Sequence, residues 1–86
     1  MTVYDDLQMI FARDRHTVPL VTWTIYDHPK DHPDAYVARR FVGETPSAVA
    51  VAHEDIDCLR DVFARAGLVP LMRAETDDPS IIETWI

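Results

Sequence analysis

Apolar residues recur at helical spacing in two stretches of the chain, and each stretch predicts an amphipathic helix. The apolar side of the first stretch consists of Val3, Leu7, Ile10 and Phe11. That of the second consists of Ile56, Leu59, Val62, Phe63 and Ala66. Thr2 as N-cap and Pro19 as terminator bound the first helix. We expect the second, main helix to run over about 54–66 and to end at Gly67.

Five shorter runs of apolar and β-branched residues predict β-strands. They cover 20–26, 35–42, 47–52, 68–74 and 81–86. In the first strand Val21, Trp23 and Ile25 point to one side of the sheet. Gly43, Thr45 and Pro46 predict the turn before the third strand. Because proline cannot donate a backbone hydrogen bond, Pro70 predicts that the fourth strand lies at an edge or contains a bulge.

The element order α-β-β-β-α-β-β predicts a single α+β domain over 1–86. We expect a largely antiparallel five-stranded sheet with the main helix packed on one face. A meander makes the third strand run parallel to the first, and the main helix makes the fourth run parallel to the third. If all five strands share one sheet, two acid-rich loops, 27–34 and 75–80, meet at one end beside His53.

Large apolar residues on both sides of several strands predict that the second face of the sheet is also covered. Trp23 and Ile25 alternate with Leu20 and Tyr26 in the first strand, for example. One helix cannot cover both faces of a five-stranded sheet, so either the first helix covers the second face or another subunit does. We expect Trp23 and Trp85 to be core or interface residues.

The charge balance restricts the class of partner. Eight Lys and Arg against fifteen Asp and Glu give a net charge of −7. Such a balance disfavours nucleic acids and anionic membranes, which attract basic proteins. The sequence has no apolar run near the ~20 residues of a membrane-spanning helix. The chain has one cysteine, which excludes an internal disulfide, so we expect a cytoplasmic protein.

Two motifs in the sequence resemble those of a protein family. Residues 26–33 read Tyr-Asp-His-Pro-Lys-Asp-His-Pro, and residues 77–85 read Asp-Asp-Pro-Ser-Ile-Ile-Glu-Thr-Trp. In this order they resemble a family of small bacterial proteins for which no activity is established. The resemblance extends from Trp23 to Ile86 and leaves the N-terminal helix, 1–18, outside. It therefore implies no catalytic residue and no cofactor.

The acid-rich loops contain the candidate site residues. Imidazole and carboxylate groups together suit Zn²⁺ and other divalent ions. The candidate metal ligands are Asp27, His28, Asp31, His32, Asp77 and Asp78, with Asp34 and His53 nearby. The alternative is a structural clasp in which aspartates bond to backbone N–H groups and Arg73 neutralises the acids. We favour the clasp, because these spacings do not form a specific metal motif.

Other residues favour structural roles. Cys58, near the first turn of the main helix, is expected to pack at the helix boundary rather than to act as a nucleophile. Arg39 is expected to lie over apolar surface with its guanidinium paired. Arg40 is expected to reach solvent or an acidic loop, and Arg60 to lie on the solvent side of its helix.

No glycine-rich phosphate loop, nucleophile elbow or paired-cysteine motif is present. We therefore predict a non-enzymatic protein-interaction or structural module, a homodimer without a cofactor. The alternative is a small metal- or ligand-binding protein that uses the loops 27–34 and 75–80.

Overall fold

A computed structural model of the protein describes residues 3–14, 20–73 and 78–86, with side chains from Met9 onwards. The chain forms an α+β fold with two helices and five strands. The helices are α1 (Val3–Asp14) and α2 (Ile56–Arg65). The strands are β1 (Val21–Asp27), β2 (Tyr36–Val42), β3 (Thr45–His53), β4 (Pro70–Met72) and β5 (Ile81–Trp85).

All five strands form one sheet in the order β3-β2-β1-β5-β4, and every neighbouring pair is antiparallel. The expected single sheet is thus confirmed. β3 and β4 run in the same direction, as expected, but they lie at opposite edges. β4 is an edge strand, as Pro70 predicted. It is shorter than expected, and Ala74, the last residue of the predicted strand, lies outside the described residues.

The turn between β2 and β3 differs from the predicted one. It consists of Gly43 and Glu44 alone, while Thr45 and Pro46 already belong to β3. Gly43 has a φ of 62°, which suits the first position of a two-residue hairpin turn. Pro46 is tolerated near the start of β3 because that strand lies at the other edge of the sheet.

α2 begins and ends for reasons visible in the sequence. Asp55 is its N-cap, and its side chain accepts a hydrogen bond from the backbone N–H of Asp57. Glu54, where we expected the helix to start, lies before this cap. Gly67 follows the last turn with a φ of 86°, in the left-handed conformation that ends many helices. The predicted terminators of α1, Thr2 and Pro19, lie outside the described residues.

The core lies between the sheet and both helices. Phe63 of α2 is 0% exposed and contacts three aromatic rings, those of Phe11, Trp23 and Trp85. Phe11 belongs to α1, so α1 packs on the same face of the sheet as α2. This excludes the first of our two expectations, in which α1 covers the second face.

Candidate functional site

Three connections lie at one end of the sheet, which we call the loop end. They are the loop from β1 to β2, the loop that leads into β5, and the junction between β3 and α2. A backbone hydrogen bond of 2.7 Å from Asp27 N to Ser80 O joins the two acid-rich loops. The expected meeting of these loops is therefore confirmed for Asp27 and Ser80. His53 is not between them, because it pairs with Tyr36 on the far side of β2.

The side chains of Asp27 and His28 bond to each other and do not point together towards a position that a metal ion could occupy. Nδ1 of His28 lies 2.5 Å from Oδ1 of Asp27, and the imidazole contacts the ring of Tyr36 edge-on at 4.8 Å. The backbone of His28 has a φ of 46°, a left-handed conformation that few residues other than glycine adopt. This conformation turns the chain sharply where β1 ends.

Asp31 pairs with Arg39 of β2 at 2.5 Å. The guanidinium of Arg39 also lies over the ring of Tyr26, with Cζ 5.5 Å from the ring centroid. The pairing of the guanidinium was expected of Arg39, whereas its position over Tyr26 was not. The hydrogen bond from Arg39 holds the pKa of Asp31 below its usual range. Arg39 therefore neutralises an acid of this loop, a role that we had expected of Arg73.

Asp78 builds a small turn. Its Oδ1 accepts hydrogen bonds from the backbone N–H and the hydroxyl of Ser80, both at 2.9 Å. These bonds hold the pKa of Asp78 below its usual range. This is the aspartate-to-backbone bonding of the predicted clasp.

The remaining metal candidates do not join these groups. His32 and Asp34 are exposed on the loop, and Nδ1 of His53 accepts a hydrogen bond of 2.9 Å from the backbone N–H of Asp55. Asp77 lies outside the described residues. Within residues 3–14, 20–73 and 78–86, no three His, Cys, Asp or Glu residues are placed to hold a metal ion.

Cys58 is exposed, which differs from the boundary packing that we expected. Loss of hydration raises the pKa of its thiol, and the nearby carboxylate of Asp55 raises it further. This is the opposite of the lowered pKa that makes a cysteine nucleophilic.

Arg40, which we expected to reach solvent or an acidic loop, and Arg60, which we expected on the solvent side of α2, bond to acids on the helix-covered face. Arg40 forms two hydrogen bonds to Asp14 at the end of α1, and this pair is largely buried. Asp14 raises the pKa of Arg40. Arg60 of α2 donates to Oε1 of Glu83, whose Oε2 accepts from the indole N–H of Trp85. The helical pattern placed Arg60 correctly on α2 but did not show that Glu83 of β5 lies opposite.

A cavity of about 410 Å³ opens at the loop end, and we call it the loop-end cavity. Its lining consists of Tyr26, His28, Pro29, Lys30, Arg39, Asp78 and Ser80. The sequence analysis did not place Tyr26 and Arg39 at this end of the sheet, because both come from strand interiors. Only the strand register brings them beside the two loops.

The face of the sheet opposite the helices, which we call the uncovered face, has an apolar part away from the loop end. The register places Thr22, Phe41, Leu71 and Thr84 on this face, and Val69 and Ile86 extend it through two mutual backbone hydrogen bonds. We call these six residues the apolar patch. Leu71 is 47% exposed, Val69 58% and Ile86 38%. Neither α1 nor α2 lies over the patch, since both pack on the other face.

No described helix is long and apolar enough to cross a membrane. Comparisons with protein-family models, with curated proteins and with solved structures find no match to this chain.

Proposed function

We propose that the protein is a small non-enzymatic interaction module that forms a homodimer through the apolar patch. The observation that carries this proposal is the position of α1. Because α1 and α2 pack on the same face, the patch has no cover from either helix. Exposed apolar groups that lie together favour association over hydration.

Charge favours the apolar patch over other surfaces as the contact between two copies. The chain carries a net charge of −7, so two copies repel each other over most of their surfaces. The six residues of the apolar patch include no charged side chain. Two copies can therefore approach most closely with these patches facing each other, which gives a twofold symmetric contact. Facing sheets of this kind pack about 10 Å apart, as in a β-sandwich.

The size of the patch sets the expected affinity. It spans four neighbouring strands, β2, β1, β5 and β4, a width of about 14 Å at the usual strand spacing. A standard interface contains about 20–30 residues from each partner, and the six residues of the patch fall below that. We therefore propose a dimer with micromolar affinity.

The state of Cys58 fits a reducing compartment. Its thiol is free and exposed, and disulfides are rare in the cytoplasm. A cytoplasmic location is accordingly part of the proposal.

The test is the mass in solution of the wild type and two matched variants. Light scattering coupled to size-exclusion chromatography should give a wild-type mass that rises through the micromolar range towards twice 9.9 kDa. Leu71→Glu places a carboxylate in the patch and should give the monomer mass. Met9→Glu introduces the same charge at an exposed position of α1 and should leave the dimer intact.

A wild type that stays monomeric at high micromolar concentration would contradict the proposal. A dimer that survives Leu71→Glu would show that the patch is not the interface. Thr22→Arg, on central β1, provides a second variant if Leu71→Glu disturbs the edge strand.

Metal binding is the alternative function, and thermal stability separates it from the proposal. After purification in chelator, we expect the melting temperature to be the same with and without Zn²⁺ or Mg²⁺. A metal site would stabilise the fold by mass action. If the melting temperature rises with metal in the wild type and does not in Asp31→Asn, the loops bind metal and the clasp is the wrong interpretation.

A further inference from the structure

Part of the lining of the loop-end cavity is already held in place. Arg39 is fixed by Asp31 and by the ring of Tyr26. The opposite wall is fixed by the turn that Asp78 forms with Ser80. The bond from Asp27 N to Ser80 O ties the two walls together. The groups that are already ordered lose little entropy when a ligand binds.

The lining has a positively and a negatively charged group, and each can still form a hydrogen bond or ion pair with a ligand. Lys30 is the only lysine of the chain, and its ammonium forms no ion pair with any residue that the structure describes. Asp78 uses Oδ1 for both bonds to Ser80, and in the described part of the chain its Oδ2 has no partner. The other charged group of the lining, Arg39, is partly neutralised by Asp31.

Apolar surface lies between these charges. The ring of Tyr26 and the pyrrolidine of Pro29 are half-buried in the lining. The volume of about 410 Å³ lies within the range of small-molecule sites, roughly 300–1,000 Å³. A ligand that fits this arrangement carries an anionic and a cationic group with an aliphatic part between or beside them.

We propose that the loop-end cavity binds a small zwitterion of the amino-acid class. Lys30, with Arg39 beside it, receives the carboxylate, and Oδ2 of Asp78 receives the ammonium group. The aliphatic part contacts Tyr26 and Pro29. The cavity shares no residue with the apolar patch, so this proposal goes beyond the proposed dimer and does not depend on it.

The left-handed backbone of His28 supports a site at this place. A strained residue persists where the surrounding structure holds it, and such residues cluster at binding sites. Here the conformation, with a φ of 46°, directs Pro29 and Lys30 into the lining of the cavity.

The experiment is a titration followed by amide NMR shifts, with L-leucine as the probe. Two analogues each lack one charge: 4-methylpentanoate lacks the ammonium group and 3-methylbutylamine lacks the carboxylate. We expect saturable shifts with leucine at Tyr26, Lys30 and Ser80, and binding of either analogue weaker by at least about tenfold, since each analogue lacks one of the two contacts to a charged group.

Two variants locate the site, and two others are controls. Lys30→Met and Asp78→Asn should each weaken leucine binding by about tenfold or more, and the amide oxygen of Asp78→Asn can still accept from Ser80. Arg65→Met removes a charge whose partner is Asp61 on α2 and should bind leucine like the wild type. The same titration with Leu71→Glu, which disrupts the proposed dimer, should also match the wild type.

The absence of saturable shifts with leucine would overturn the proposal. Equal binding by Lys30→Met and Arg65→Met would overturn it too, because the cavity would then not be the site. If 4-methylpentanoate binds as tightly as leucine, the cavity binds simple carboxylates and the zwitterion assignment is wrong.

Discussion

The ion pairs of this molecule differ in how much they contribute to the free energy of unfolding, because they differ in burial. The pair between Arg40 and Asp14 has side chains only 13% and 11% exposed, whereas those of Arg65 and Asp61 are 65% and 58% exposed. Solvent screens an exposed pair almost completely. The Arg40–Asp14 pair also joins two elements, β2 and the end of α1.

We predict that Asp14→Asn destabilises the fold by about 2–3 kcal/mol, since it leaves the charge of Arg40 largely buried without its partner. Urea unfolding at neutral pH measures the loss. Asp61→Asn, which removes the exposed pair on α2, is the control and should change stability little. A double-mutant cycle with Arg40→Met should recover part of the loss, and simple additivity of the two changes would argue against a direct interaction.

Acid should weaken the clasp at the loop end. The hydrogen bond from Arg39 lowers the pKa of Asp31, and the bonds from Ser80 lower that of Asp78. A carboxyl whose pKa is lower in the folded state stabilises the fold above its unfolded pKa, about 3.9. This contribution is lost as the pH falls through the lowered value.

We therefore predict that the melting temperature falls more steeply below about pH 4 in the wild type than in Asp31→Asn. Arg39→Met should flatten the profile in the same way, since Arg39 is the main cause of the shift. Thermal melts from neutral to strongly acidic pH measure this. If the melting temperatures of the wild type and Asp31→Asn fall in parallel as the pH is lowered, the bond from Arg39 does not lower the pKa of Asp31.

At the scale of elements, the apolar stripe of α2 was the most informative pattern in the sequence. It placed Leu59 and Phe63 in the core, where both are buried. Spacing along one helix suffices for this because every member of the stripe faces the same side.

The position of α1 could not be predicted in this way. Its pattern identified an apolar side containing Phe11, but which face of the sheet that side covers depends on contacts with Trp23 and Phe63. The same limit applies to the loop-end cavity. Residues 26 and 39 approach Asp78 only through the register of β1 with its two neighbours, which a single sequence does not specify.

We predict that Phe63→Ala costs about 3–5 kcal/mol of unfolding free energy, because it removes the ring at the centre of four packed aromatic side chains. Denaturant unfolding at a concentration below dimer formation measures the loss. Phe41→Ala, on the uncovered face and half-buried, should cost clearly less. A loss below about 1 kcal/mol for Phe63→Ala would mean that α2 presents another side to the sheet.

On the scale of the whole molecule, charge and apolar surface are separated. The acidic groups of the described chain lie in the loops, on α2 and on the helix-covered side, whereas the apolar patch carries none. Association through the patch must therefore overcome repulsion between two chains of charge −7.

We predict that the proposed dimer becomes tighter as salt rises from about 0.05 M to 0.5 M, because the Debye length shrinks from more than 10 Å to a few ångströms. Sedimentation equilibrium at both salt concentrations measures the dissociation constant. A dissociation constant that rises with salt would indicate attraction between opposite charges at the interface in place of apolar contact.

The place of β5 in the sheet bears on how the chain folds. β1, β2 and β3 are joined by short connections and can pair soon after they form. β5 pairs with β1 across 60 residues, the separation of Thr24 and Thr84, and β4 attaches only through β5. Closing a loop of this length costs about 3–4 kcal/mol more than closing the shortest loops. We therefore expect the three-stranded meander to form first and the docking of β5 to limit the folding rate, so that Trp85 reaches the core last.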